Sequence, residues 1–537
     1  MTTTQRPTSM DLTMHHMSQA HPSIPQTIGA VLHLDGAPPS LEELRDHVER
    51  HLHDEPRLTH YLDGPGLKAR WQRDPAPDLD TRIRARHVPP GDSHLDNALR
   101  ELVEHPLPDR GPLWDAWLVS GYATDRYAIC WRAHHSTQDG MGLMGTLHTL
   151  FSTTTPPAAA PAARPGPGTY LRTVRATLAA CTANGIWTDP ARPLSGNRVV
   201  NWASVPTGQL RDPAVARGGD TNDAFLASLS GALRAWCSEH WPRGADRPLP
   251  TLTMVNLRRA GERERPGNLF AFAPLPLPCD EPTARGRLDR VVAATRATRD
   301  PVRLNALRVL SERTPTRAFH AMAGWLTTPA RAPLTASYLA FHRALAFQGD
   351  PVTRIQPFSW LPHNQPASIV ACSYNGSTSV CFTTDTALPG TRGLPALFAD
   401  AAGQLAGRAP GSPAAPSRQA DGLEVPSPAL APAPAPAGEA ATSAGIDFDF
   451  VKGLLVDHGA LPPGPITPDA SFSHAGIDSM AVTALSMALE DRLGMVITEQ
   501  ELTQAPTVAA LVDLVARRAT DPPRPDSPHP PALDHRR

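Results

Sequence analysis

The chain runs to 537 residues, too long for one ordinary domain of about 150, and its 41% hydrophobic and 19% charged residues suit folded bodies with real cores. Its 50 Lys+Arg against 52 Asp+Glu leave a formal charge of -2, which excludes a global basic field for holding nucleic acid. The 60 prolines, about twice the usual share of about 5%, are expected to collect in linkers.

Six cysteines (Cys130, Cys181, Cys237, Cys279, Cys372 and Cys381) are scattered with no C-x-x-C pair. That pattern argues against a zinc site or disulfide framework and fits a reducing cytoplasm. Met1 to Ser9 lacks an apolar core, and no run of about 18 apolar residues occurs, so neither a signal peptide nor a membrane span is expected.

In the first body, 1–152, Leu41 to Leu52 shows helical apolar spacing, with Ser40 as N-cap and Glu43 behind it. Tyr127 to Ala133 (YAICWRA) predicts a buried strand. The Pro/Ala-rich stretch 153–168 reads as a linker. In the second body, 169–407, a helix is predicted over Asp223 to Cys237, and the apolar run Leu334 to Phe347 is expected to be a core helix. A strand over Ala367 to Cys372 leads into Ser373-Tyr374-Asn375-Gly376, whose Asn-Gly pair signals a hairpin turn. Mixed helix and strand without strict alternation suggests layered α/β sandwiches. A linker at 408–443 follows, then a body at 444–520 and a proline-rich tail at 521–537. The body at 444–520 holds four basic against ten acidic residues and reads as a helical bundle. Its predicted helices are Phe448 to Gly459, Asp478 to Leu493 and Thr507 to Arg518, with a short turn near Glu499. As flexible coil the linker spans about 30–36 Å, which does not decide what the bundle can reach.

Two segments carry chemistry. His134-His135-Ser136-Thr137-Gln138-Asp139-Gly140 follows directly on the predicted strand. A histidine at a strand end is placed to act as a base near neutral pH, because its ordinary pKa is about 6.5. Asp139 would brace the loop through backbone or arginine contacts, and Gly140 would permit a tight turn into the helix MGLMGTLHTLF. The second segment is Gly476-Ile477-Asp478-Ser479-Met480, where a loop enters a helix whose N-terminus favours an attached phosphate. By contrast His15, His16 and His21 cluster without a cysteine or carboxylate to complete a metal-ligand set.

The Ser479 segment and the residues after it resemble an acyl or peptidyl carrier domain, which implies 4′-phosphopantetheine on Ser479, with Asp478 beside it. The H-H-x-x-x-D-G pattern resembles both the condensation domains of peptide synthetases and the wax ester synthase/diacylglycerol acyltransferase family. Gly111-Pro112-Leu113-Trp114, Thr221-Asn222-Asp223 with Gly231-Ala232-Leu233-Arg234, and Met254 to Arg258 are similar to blocks of the second family, as are Gly267-Asn268 and Ser373 to Gly376. Near Thr335 to Tyr338 the chain departs from that family's S-N-x-x-G-P stretch, on the acceptor side. The resemblance implies two chloramphenicol-acetyltransferase-like α/β lobes in a V, then an all-α four-helix carrier on a Pro/Ala-rich linker. It implies His135 as catalytic base, His134 and Asp139 as supports, and Arg57 as the partner of Asp139.

The activity implied is ester or amide formation from a phosphopantetheine thioester, of the kind used in nonribosomal peptide, polyketide or antibiotic synthesis. The implied partners are a phosphopantetheinyl transferase, a separate loading enzyme or other carriers, and an amine or hydroxyl acceptor. Two alternatives stand beside it. One is an acyl-CoA-dependent O-acyltransferase of neutral lipids, and the other a non-catalytic docking protein.

Overall fold

The computed structural model describes residues 6–152 and 185–408, apart from 188, 260, 261, 263, 264, 297, 298, 329, 332, 333 and 364. Towards the C-terminus it describes 447–457, 461, 464–472, 474, 475, 477, 482, 485, 489, 501 and 505–520. The expected linkers and tail lie outside these residues, apart from Arg408, and so does Cys181. The chain forms two compact units, Met1–Leu423 and Glu424–Arg537.

The first unit is built on two six-stranded sheets. In chain order its strands begin β1 (Thr27–Asp35), β2 (His60–Asp63), β3 (Arg70–Arg73), β4 (Ile83–His87), β5 (Trp114–Ser120) and β6 (Arg126–His134). They continue with β7 (Arg198–Pro206), β8 (Leu249–Asn256), β9 (Phe270–Leu277) and β10 (Leu334–Ala340). The last four are β11 (Ala346–Phe347), β12 (Asp350–Phe358), β13 (Ala367–Tyr374) and β14 (Ser377–Asp385). The first sheet has the order β11-β12-β1-β6-β5-β4 and the second β7-β14-β13-β10-β8-β9, while β2 and β3 form a separate hairpin. Strands 11 and 12 thus leave the chain stretch that builds the second sheet and complete the first. Strand β12 lies antiparallel along β1 from Gly29↔Phe358 to Leu34↔Val352. Gly29 is required there, since a Cβ would collide with the Phe358 ring.

Strand β6 is buried on both faces, and its side chains alternate between two cores. Tyr127, Ile129, Trp131 and Ala133 join Leu143, Leu147 and Leu150 of the helix Gly140–Phe151 in one cluster. Ala128 and Cys130 join Val31, Leu99, Val370 and Cys381 in another. This period-two split is what a strand imposes, and it turns the end of β6 into a rigid mount.

Most predicted elements hold with small shifts of boundary. The helix Leu41–Arg50 carries the expected reciprocal cap, with Ser40 Oγ accepting from the Glu43 N–H at 3.2 Å and Glu43 accepting from the Ser40 N–H at 2.8 Å. The helix Thr221–His240 extends the predicted one at both ends. Between β13 and β14, Asn375 (φ 46°) and Gly376 (φ 73°) make the two-residue turn. The expected helix over Leu334 to Phe347 is instead strand β10 and the short β11. A continuous apolar run suits a buried helix or a buried parallel strand equally well. Parallel neighbours on both sides, β13 and β8, supply the ladders that make it a strand.

One buried ion pair braces the outer half of the first sheet. Arg132 on β6 donates to both carboxylate oxygens of Asp115 on β5, the Nε bond being 2.7 Å, and both side chains are fully buried. Arg132→Met is therefore expected to destabilise this unit by about 1–3 kcal/mol, because it leaves the buried Asp115 carboxylate with only Arg84 as a charged partner, at 3.0 Å, and the Trp117 N–H at 3.3 Å. Urea unfolding of both proteins checks this, and a loss under about 1 kcal/mol would contradict it.

The second unit contains the helices Phe448–Asp457 and Val508–Thr520. Val451, Leu454 and Leu455 from the first pack with Val508, Leu511 and Val515 from the second. Ile466, Ile477, Val482, Leu485 and Leu489 complete the same core. Thr507 Oγ1 accepts from the Ala510 N–H at 3.3 Å and so caps the last helix as expected. Asp478, Ser479 and Glu499 lie outside the described residues. Among the described residues no helix is long and apolar enough to cross a membrane.

Candidate active site

The histidine motif begins at the last residue of β6, and its backbone is tied from two directions. The His134 N–H donates to the Leu113 carbonyl at 2.8 Å, and the His135 N–H to the Gln26 carbonyl at 2.8 Å. The Pro-Leu-Trp segment does more than supply that carbonyl. Trp114 stacks on Trp131 with ring centroids 4.9 Å apart, and its Nε1–H donates to the Leu58 carbonyl at 2.8 Å. These aromatic contacts hold the strand end in position.

The two imidazoles differ in what they can do. His134 Nδ1 accepts from the Ser136 N–H at 3.1 Å, which leaves its proton on Nε2. Burial pushes its pKa down to about 3, helped by the neighbouring His135, so it stays neutral. His135 Nδ1 lies 3.0 Å from Asn268 Oδ1. Burial lowers its pKa below the ordinary value, against its own backbone carbonyl, Asp139 and Asn268, which favour the charged form. The residue is half-buried, and the rings of Phe270 and Trp360 lie with centroids 6.0 and 6.1 Å away. Apolar neighbours and the lowered pKa favour the neutral imidazole at this position.

Asp139 is the brace that the sequence predicts, but its arginine is a different one. Arg258, just after β8, donates through one nitrogen to both Asp139 oxygens at 2.7 Å. Its other nitrogen reaches the Gly267 carbonyl at 3.0 Å. Asp139 also accepts from the Leu269 N–H and the Gly142 N–H, each at 2.8 Å, and the second bond caps the motif helix. Burial pushes the Asp139 carboxyl up, but the Arg258 charge and these N–H donors outweigh it and hold the group below the usual aspartate range. The pair therefore joins the histidine loop to the segment between β8 and β9.

Arg57 forms a buried fork with its near neighbour Glu55, at 2.6 and 2.7 Å, and does not pair with Asp139. It still touches the motif helix, where a Cβ at Gly145 would sit 2.8 Å from its guanidinium. The short Asp54-Glu55-Pro56-Arg57 link satisfies Arg57 locally, so the more distant carboxylate is left to Arg258. Gly140 also differs in its reason. It is the first residue of the helix and has no left-handed φ; a Cβ there would press on Leu339 Cδ1 at 3.1 Å. The tightness there comes from side-chain packing against Leu339 rather than from a turn.

The remaining family-like blocks are supports. Asp223 closes a capping box with Asp220 and accepts from Thr295 Oγ1 at 2.6 Å. Ser373 bonds the Tyr338 hydroxyl at 2.7 Å. Sequence reasoning quoted Arg258 and Asn268 inside similar blocks but gave neither a role. Asp11, which holds Asn268, carried no signal at all. Among the described residues no group of three or more His, Cys, Asp or Glu is placed to hold a metal.

In the second unit Ser479 and Asp478 lie outside the described residues, so the fit of a phosphopantetheine arm rests on what flanks them. Ile477 is buried in the core and its N–H donates to the Phe472 carbonyl at 2.8 Å. Val482, three residues beyond Ser479, is buried in the same core. In sequence, Ser479 thus falls between two residues fixed in the core.

Two six-stranded sheets, with strands from the chain stretch of the second completing the first, form the condensation-type fold of two chloramphenicol-acetyltransferase-like lobes. Residues 9–186 match the wax ester synthase/diacylglycerol acyltransferase catalytic domain, and residues 450–515 match the phosphopantetheine attachment site. The chain is thus similar to a wax ester synthase/diacylglycerol acyltransferase catalytic domain over its N-terminal third and to a domain for covalent 4′-phosphopantetheine attachment near its C-terminus.

A Mycobacterium tuberculosis protein named as a diacylglycerol O-acyltransferase is 25% identical over 270 residues, which are 43% of this chain and 57% of that protein. A second protein so named, from the same organism, is 27% identical over 341 residues, 55% of this chain and 75% of that protein. The match thus spans little more than half of the first relative's length. Among solved structures, the wax ester synthase/diacylglycerol acyltransferase from Marinobacter aquaeolei VT8 is similar at a TM-score of 0.52 and 18% identity, over 75% of this chain and 100% of that one. The starter condensation domain of rhizomide synthetase gives 0.54 and 16%, over 76% and 95%. At these identities the likeness is one of fold.

Proposed function

We propose that this protein is an acyltransferase of specialised metabolism that forms an ester or an amide from a phosphopantetheine thioester, with His135 as general base. One observation carries the reading: His135 meets an amide oxygen through Nδ1, so Nε2 is the nitrogen left for a substrate proton. When attached at Ser479, the phosphopantetheine arm supplies the thiol that carries an acyl group. His135 Nε2 takes the proton of the acceptor hydroxyl or amine as its oxygen or nitrogen attacks the thioester carbon. It then returns that proton to the departing sulfur, so the step balances without a further reagent. Asp139 and Arg258 keep the histidine loop and the β8–β9 segment together while this happens. A phosphopantetheinyl transferase and a separate loading enzyme complete the system.

The names of the mycobacterial relatives favour a second reading, an acyl-CoA-dependent O-acyltransferase making neutral lipid. Intact mass of the protein, converted to its holo form and loaded with an acyl group, separates the two. Acyl loss to an added acceptor that requires both Ser479 and His135 supports the first. Turnover of acyl-CoA that survives Ser479→Ala supports the second. His135→Ala leaving every transfer unchanged would refute both and leave a docking protein.

The pH profile offers an independent check. Because burial lowers the His135 pKa, Nε2 stays unprotonated through the neutral range. The acid limb of kcat/KM is therefore expected below the ordinary imidazole value of about 6.5, with the rate rising as pH increases through it. An acid limb above about 7 would contradict this assignment.

A further inference from the structure

We infer that Asn268, anchored by Asp11 of the N-terminal helix, is a positioning residue that holds His135 as the Nδ1–H tautomer and so keeps Nε2 free as the base. This rests on the general-base reading above and names residues to which neither the family blocks nor the motif gives a role.

The geometry begins at the helix Ser9–Ala20. Thr8 caps it, and Asp11 closes the cap by accepting from the Thr8 N–H at 2.7 Å through Oδ2. The other carboxylate oxygen, Oδ1, accepts from the Asn268 backbone N–H at 2.6 Å and from Asn268 Nδ2 at 3.0 Å. Asn268 Nδ2 spends its second hydrogen on the His135 carbonyl at 2.7 Å. Both amide hydrogens therefore meet groups that can only accept. Turning the amide over would aim its oxygen at a carboxylate and a carbonyl, which fixes the orientation on chemical grounds. The amide oxygen must then face the imidazole, and an oxygen that only accepts requires a hydrogen on Nδ1. In the opposite tautomer two acceptors would face each other at 3.0 Å, and Nε2 would carry the hydrogen just where a substrate proton has to arrive.

The surroundings are built to permit this approach. Gly267 has φ 94°, and a Cβ there would stand 2.6 Å from Asp11 Oδ2. Its N–H donates to the Thr137 carbonyl at 2.6 Å, which ties the Asn268 segment to the histidine loop itself. Asp11 and Asn268 are almost wholly buried, at 1% and 2% exposure. Burial pushes the Asp11 carboxyl up to about 6, against the N–H donors that favour its charged form, so it is ionised at neutral pH.

The test uses the full chain labelled with 15N-histidine at about pH 7.5, and long-range 1H–15N correlation of the ring nitrogens. The His135 signals are identified by their loss in His135→Gln. The expected wild-type pattern is a protonated Nδ1 and a bare Nε2. Asn268→Ala should move His135 towards the Nε2–H form and lower kcat by on the order of 10²-fold, with KM for the acyl donor within about 2-fold. Ser40→Ala, which removes a helix cap elsewhere, should change neither reading. Retention by Asn268→Ala of both the tautomer and a kcat within about 3-fold of wild type would overturn the inference. So would a wild-type His135 found in the Nε2–H form. If Asn268→Ala does not fold, Asp11→Asn takes its place, with the same shift expected and the same unchanged result overturning it. A wild-type Nδ1–H pattern without His135-dependent turnover would refute the general-base reading and leave the positioning relay intact.

Discussion

His135→Ala is expected to lower acyl transfer by about 10²–10⁴-fold while leaving phosphopantetheine attachment at Ser479 intact, since that is the usual contribution of a positioned general base. The loss should fall on chemistry rather than folding. The backbone here is held by bonds that do not involve the ring: the His135 N–H to the Gln26 carbonyl, and the His135 carbonyl to Asn268. His134→Ala makes the informative comparison. Its imidazole stays neutral, bonded to the Ser136 N–H, and its loss should act mainly through stability. Single-turnover mass measurements on both variants, with thermal unfolding alongside, distinguish the roles. Equal losses of transfer from the two, at equal stability, would refute the assignment of the base.

Arg258→Leu is expected to destabilise the first unit by about 3–5 kcal/mol and to abolish turnover, because it strands the Asp139 carboxylate in a buried site. The two side chains are only 5% and 6% exposed, so water does not readily take the place of the lost guanidinium. The pH dependence has a definite sign. In the wild type Asp139 is held below the usual aspartate value, so its contribution is fully present above about pH 4 and is lost as pH falls through the lowered value. Without Arg258, the largest opposition to burial disappears and the carboxyl moves up. The variant should then lose stability as pH rises above about 4, where the wild type does not. Asp139→Asn added to Arg258→Leu should recover part of the loss, since it removes the unpaired charge. Urea midpoints of the wild type, single and double variants across that range check the claim. Parallel profiles in all three would rule out Arg258 as the partner of Asp139.

The contrast between Arg57 and Arg258 shows how far the chain can be read unaided. Both arginines stand in short motifs, and analogy chose the one nearer in sequence to the histidine motif. Arg57 is satisfied by a carboxylate two residues away, a local fork visible only once the turn at Pro56 is formed. Arg258 reaches Asp139 across 119 positions of chain, a distance over which no spacing rule operates. Gly140 teaches the same point, since its constraint comes from Leu339 on a strand of the other sheet rather than from its own backbone.

What the sequence by itself determined is everything written in short-range chemistry. It marked the capped helix Leu41–Arg50, strand β6 with the histidine loop at its end, and the Asn375-Gly376 turn. Each depends on periodicity, capping or turn preference within about ten residues, where local geometry dictates the outcome. Only the tertiary structure decided which arginine neutralises Asp139, that Leu334–Ala340 is a strand, that β12 completes the first sheet, and that Asn268, held by Asp11, lies against His135 Nδ1. Those outcomes come from backbone ladders and buried polar groups seeking partners, and such groups are satisfied by whatever the fold brings within hydrogen-bond reach.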